Sequence, residues 1–184
     1  MNLVAQILAA GLAASLAVAP DAGDPSKVKP LQSFQGGDSH IHKPLARFLT
    51  DAKSWKQVWY MHLGIEARVS DKGEIEYPPN APTPPPVDFS KNQVLVMFGG
   101  LLPGVQSYDY VKTFAKETTA VVQIAPKTAP ASSDSALKNM YPFLIMVLPK
   151  EPVRIEVELD TVAKDGSHYW NLITAHNPPK PGGS

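Results

Sequence analysis

The sequence predicts a mainly β (α+β) fold, an antiparallel β-sandwich or partly closed barrel with one amphipathic helix packed on it. Three observations carry this. Val153, Ile155, Val157 and Leu159 alternate with Arg154, Glu156, Glu158 and Asp160, the period of two that a half-exposed strand requires. Val94–Phe98 (VLVMF) and Tyr141–Leu148 are unbroken apolar runs, as in strands covered on both faces. One segment has helical spacing: Ala52, Trp55, Val58, Trp59, His62 and Leu63 recur on a single face.

Taken in order, the chain opens on an uncharged apolar stretch, residues 3–19, with its first charge at Asp21. The stretch is short for a membrane span and has no basic flank behind it, so 1–19 is expected to be a secretory signal peptide. Ala17-Val18-Ala19 has the small-x-small form but precedes Pro20, and a cut after Ala17 is the substitute. With no cysteine in the chain, a lipid-modified N-terminus is ruled out. The expected location is exported, periplasmic or extracellular, with membrane contact only if the segment stays uncleaved. Residues 20–30 (PDAGDPSKVKP) read as a flexible linker, 31–176 as the β-rich domain and 177–184 as a disordered tail.

Within the domain, Thr50-Asp51 offers a helix N-cap and a first-turn acid, and Gly64 stops the helix. Trp55 and Trp59 share one face, which argues for docking on a sheet. Ile65–Ser70 and Glu74–Tyr77 flank the turn Asp71-Lys72-Gly73, and a proline-rich loop, residues 77–89, follows. Val105–Phe114 and Thr119–Ala125 form the next pair around Lys116-Glu117. Lys164-Asp165-Gly166-Ser167 turns the alternating strand back into His168–Ile173. Seven or eight short strands at this spacing suit a sandwich or barrel. Asp88, just before Ser90, is placed to accept N–H bonds in the turn that starts the Val94–Phe98 strand.

Composition removes several function classes. The 17 basic and 17 acidic residues cancel, so no global field favours nucleic acid. The absence of cysteine removes disulfides, thiolate zinc sites and cysteine nucleophiles. His40 and His42 would share a face if they lay on a strand, but His-x-His alone is a weak metal pattern. Ser39 beside His40 lacks a nucleophile elbow, and Gly99, Gly100 and Gly104 lack phosphate-loop spacing. Glu156 and Glu158 on one alternating face read as solvated surface before they read as a glycosidase pair. No catalytic residue, metal or cofactor is expected; the alternative is a hydrolase that uses the histidines or paired carboxylates.

The remaining candidate is a recognition loop. Tyr108 and Tyr110, with Phe114 further along the same strand face, read first as packing. With Tyr108 at the loop rim instead, Leu101, Leu102, Pro103, Val105 and Tyr108 form an apolar, partly exposed protein-binding loop.

The order of these features resembles the family built on the C-terminal domain of PrcB, an accessory subunit associated with a secreted protease complex. Trp55-x-x-x-Trp59, the loop ending Pro86-Val87-Asp88-Phe89-Ser90, the strand into Gly100 and the Tyr141-Pro142 strand carry the likeness, over about Ser54 to Lys150. Trp55, Trp59, Asp88 and Phe89 are its structural marks. Gln106-Ser107-Tyr108 stands where the family shows Gly-Gly-Tyr, so the loop is rebuilt. The resemblance implies a binding and stabilising module without catalytic residues, whose partner is a protease or envelope component. A protease inhibitor acting through the 99–108 loop is a sharper variant.

Overall fold

The computed structural model describes residues 23–130 and 139–178. The expected signal segment 1–19 and residues 179–184 of the expected tail lie outside the described residues. The elements are β1 (Gln32–Gly36), β2 (Leu45–Leu49), α1 (Ala52–His62), β3 (Arg68–Val69), β4 (Ile75–Glu76), β5 (Asn92–Phe98), β6 (Val105–Lys116), β7 (Thr119–Thr128), β8 (Phe143–Pro149), β9 (Arg154–Val162) and β10 (His168–His176). Sheet 1 runs β1-β8-β5-β2, antiparallel throughout. Sheet 2 runs β10-β9-β7-β6, antiparallel except for the parallel pair β7–β9. β3 and β4 form a separate hairpin.

Side-chain alternation stacks these elements into three layers. On the central strands of sheet 1, Leu95, Met97, Leu144, Met146 and Leu148 enter one core with Ala120, Val122, Ile155 and Val157 of sheet 2. The residues between them, Val94, Val96, Phe98, Ile145 and Val147, enter a second core with Trp55 and Val58 of α1. Two fully covered faces account for the unbroken apolar runs in β5 and β8. The outcome is a β-sandwich with one helix on its outside. At both sides the sheet edges come near each other, β1 to β6 and β2 to β10, without pairing, so no barrel closes.

Asp51, not Thr50, caps α1: its carboxylate accepts from the Ser54 N–H at 2.8 Å and the Ser54 hydroxyl at 2.8 Å. These bonds, backbone first, hold the Asp51 carboxyl below its ordinary pKa. Trp55, 3% exposed, donates from Nε1 to the Pro85 carbonyl at 3.0 Å. That bond ties the proline-rich loop to the helix, and Val87 and Phe89 close over the same core. Asp88 accepts from the Ser90 hydroxyl and from the Ser90 N–H at 3.0 Å, while its carbonyl receives the Lys91 and Asn92 N–H groups. The Ser90 bonds lower the Asp88 pKa, so the ionised carboxylate is the form that holds the turn. Asp88→Ala is expected to lower the melting temperature, and Asp88→Asn to recover part of the loss; an unchanged Asp88→Ala melt would remove the turn from this account.

Four expectations change. The alternating and apolar patterns single out eight strands, and the structure adds β1 and β2, five-residue edge strands with polar residues at Gln32, Ser33, Gln35 and Arg47. Residues 20–30 are not wholly a linker: Val28 follows a short 3₁₀ turn (Pro25–Lys27) and is fully buried between the sheets. His40 and His42 lie in the irregular segment between β1 and β2, not on a strand. A bulge at Val111, between Tyr110 and Lys112, reverses the side-chain phase of β6. Phe114 therefore pairs with Val121 on the outer face of sheet 2, while Tyr108 and Tyr110 face inward.

Candidate functional site

The loop from Gly99 to Val105 links sheet 1 to sheet 2 and is pinned by the backbone. Gly99 N–H donates to the Pro142 carbonyl at 2.9 Å, Leu102 N–H to Met140 at 2.9 Å, and Ala129 N–H to Gly104 at 2.8 Å. Gly100 sits at φ 69°, and a Cβ there would press on the His42 carbonyl and Pro44. A loop fixed at three points presents its side chains with little ordering left to do on binding.

The sequence-predicted residues divide between its two sides. Leu101 and Pro103 are exposed, Leu101 at 48%. Leu102 is half-buried against the inter-sheet core, and Val105 is half-buried at the start of β6. Tyr108 is not at the rim. It is 3% exposed, inside the sandwich, and burial pushes its hydroxyl up to about 12. Of the structural marks, Trp55 is buried, Trp59 half-buried against Phe34 and Trp55, Phe89 half-buried, and Asp88 exposed.

Beneath the loop, between the β2 and β10 edges, lies an apolar cleft of about 500 Å³. Leu102 and Tyr108 line it together with Leu45 and Ala46 of β2, Leu159 of β9 and Leu172 of β10. The cleft residues outside the loop escape sequence reasoning because β2 and β10 are brought together only by the sandwich. Chemically the site offers exposed aliphatic groups over an apolar slot, the chemistry of an interface anchor and its pocket.

The histidines follow a different logic. Ser39 and His62 meet across the molecule, with Ser39 Oγ 3.1 Å from His62 Nδ1. Both are buried, at 2% and 6% exposure, and Ser39 Oγ also accepts the Ile41 N–H. The His62 ring is walled by Trp59, Phe98 and Phe143. A substrate has no access to this pair, which joins the end of α1 to the preceding loop. His42 stacks on Tyr141, and with His40 it lines an open groove of about 700 Å³ beside α1. Among the described residues, no three His, Asp or Glu side chains converge as a metal centre needs. No helix among the described residues is long and apolar enough to cross a membrane.

Burial pushes the His62 pKa below its ordinary value; Asp38 opposes that shift and His40 adds to it. His176 is displaced the same way, by burial and then by Lys150. The unfolded chain binds protons at these residues near pH ~6.5 and the folded chain only below that. Their contribution to stability is therefore complete above about pH 6.5 and is lost as the pH falls through the lower folded values. The urea midpoint is expected to drop between about pH 7 and pH 5, and less so in a His62→Gln variant. A midpoint that rises on acidification would contradict the assignment.

Compared with known proteins, the chain matches no protein-family model, no curated protein and no solved structure.

Proposed function

We propose that this chain is an exported, non-enzymatic protein-binding module that stabilises or regulates a protease or envelope complex. The observation that carries the reading is the pinned 99–105 loop, which displays Leu101 and Pro103 above an apolar cleft. The resemblance to the PrcB C-terminal domain family supplies the class of partner, and the apolar N-terminal segment supplies the export route. The rigidity of the loop also favours the sharper variant, a protease inhibitor that places the loop in its partner's cleft.

Leu101→Asp puts a charge on the exposed tip without touching the core. In affinity capture from the exported fraction, it is expected to reduce recovery of the wild-type partner about tenfold or more, as loss of an interface anchor does. Equal recovery by both forms would remove the loop from the binding role. Inhibition of a captured protease by wild type but not by Leu101→Asp would select the inhibitor variant.

A further inference from the structure

The cleft beneath the 99–105 loop holds a polar group that the protein leaves unanswered. Tyr108 is 3% exposed and packs in the inter-sheet core, yet its Oη has no hydrogen-bond partner among the described residues. Trp59 Nε1, Gln93 Oε1 and Gln123 Oε1 also lack one, but those three atoms are sealed from solvent and out of a ligand's reach. The Tyr108 hydroxyl is not sealed: it lies against Gly99 at the root of the loop, and both residues line the cleft. A buried hydroxyl without a partner is costly, and a phenylalanine would fill the same space without that penalty.

The surroundings define what answers it. Ala46, Met97, Leu102, Leu159 and Ile173 make the walls apolar, and Asn171 stands at the exposed opening. Among the described residues, no charged side chain lines the cleft. Burial pushes the Tyr108 hydroxyl up to about 12, so at neutral pH it keeps its proton and acts as a donor. An anion entering here would give up its hydration with no cation to replace it. A pure hydrocarbon would fill the walls and leave the hydroxyl unpaired. The volume of about 500 Å³ is that of a small-molecule site.

We propose that this cleft binds a small, uncharged, mainly apolar molecule through a single carbonyl acceptor held by the Tyr108 hydroxyl. The carbonyl of such a ketone or ester takes the phenolic proton beside Gly99, and its hydrocarbon part lies against Leu102, Leu159 and Ile173. Gly99 leaves the room for this, since a Cβ there would lie against Tyr108 Oη. The site is separate from the exposed tip at Leu101 and Pro103 and does not rest on the protein-binding reading.

The probes are acetophenone and menthone as neutral ketones, ethylbenzene as the hydrocarbon of acetophenone's shape, and benzoate as its anionic counterpart. Each is titrated to millimolar concentration into the full chain, with binding read from amide NMR shifts and calorimetry. At least one ketone is expected to bind more tightly than benzoate and to shift the Gly99, Leu102 and Asn171 amides. Tyr108→Phe, checked by circular dichroism for an intact fold, is expected to weaken ketone binding about threefold to tenfold, the worth of one net hydrogen bond. The same variant is expected to hold ethylbenzene as the wild type does. Ala46→Phe, which fills the cleft from β2, is expected to abolish uptake of both. No uptake of either ketone overturns the proposal, and so does tighter binding of benzoate or undiminished ketone binding by Tyr108→Phe. Leu101→Asp is expected to leave ketone affinity unchanged, so this proposal and the loop's binding role fail separately.

Discussion

Trp55→Ala is expected to destabilise the protein by about 3–5 kcal/mol, the range for emptying a large buried aromatic site. Trp55 is 3% exposed and forms the contact between α1 and the faces of β5 and β8. Its Nε1 also holds the Pro85 carbonyl, so the same change releases the proline-rich loop. Against a total stability of about 5–15 kcal/mol, this is a large share. Trp55→Phe keeps most of the packing and gives up the hydrogen bond, an expected loss of about 1 kcal/mol plus the smaller ring's shortfall. Denaturant midpoints for the two variants separate packing from the bond. If Trp55→Ala shifted the midpoint no more than Trp55→Phe does, α1 would not be anchored as described.

Gly99→Ala is expected to cost about 1–3 kcal/mol by overpacking. The added Cβ would meet Tyr108 Oη most closely, then Leu102 Cδ1 at 2.8 Å and Pro142 Cγ at 2.9 Å. Two of these neighbours line the cleft, so the substitution strikes stability and the candidate site together. Tyr108→Phe removes the nearest atom, and the double variant is expected to recover part of the loss. Thermal melts of the two single variants and the double variant form a cycle that measures the coupling. Strict additivity would mean that Gly99 and Tyr108 do not crowd one another.

The parts of the fold legible in the sequence are those where one residue pattern answers one environment. β9 alternates because one face meets the core and the other meets solvent, and β5 and β8 are continuously apolar because both faces are covered. β1 and β2 stay hidden because an edge strand of five residues buries too little to impose a period. Phe114 is misplaced by simple alternation because one extra residue, Val111, reverses the phase, and nothing in the local composition marks it. For the site, exposed Leu101 and Pro103 are visible as an apolar loop, while the inward turn of Tyr108 and the opposing Leu45 and Leu172 depend on pairings between distant segments. The Ser39–His62 bond is another such pairing. Long-range contacts leave no local signature.

The strand order has a consequence for how the molecule comes into being. β1 lies beside β8 and nowhere else, and β8 also supplies one flank of β5. A chain emerging from its N-terminus therefore holds β1 unpaired, and β5 with a single neighbour, until residue 149 is available. β7 then waits for β9, its parallel neighbour, which follows β8 in the chain. Neither sheet is a self-sufficient folding unit, and assembly is a late event that draws on nearly the whole length at once. Loop closure over such separations slows folding to the millisecond-to-second range typical of sandwiches. A chain of this design stays open for longer than one built from local contacts.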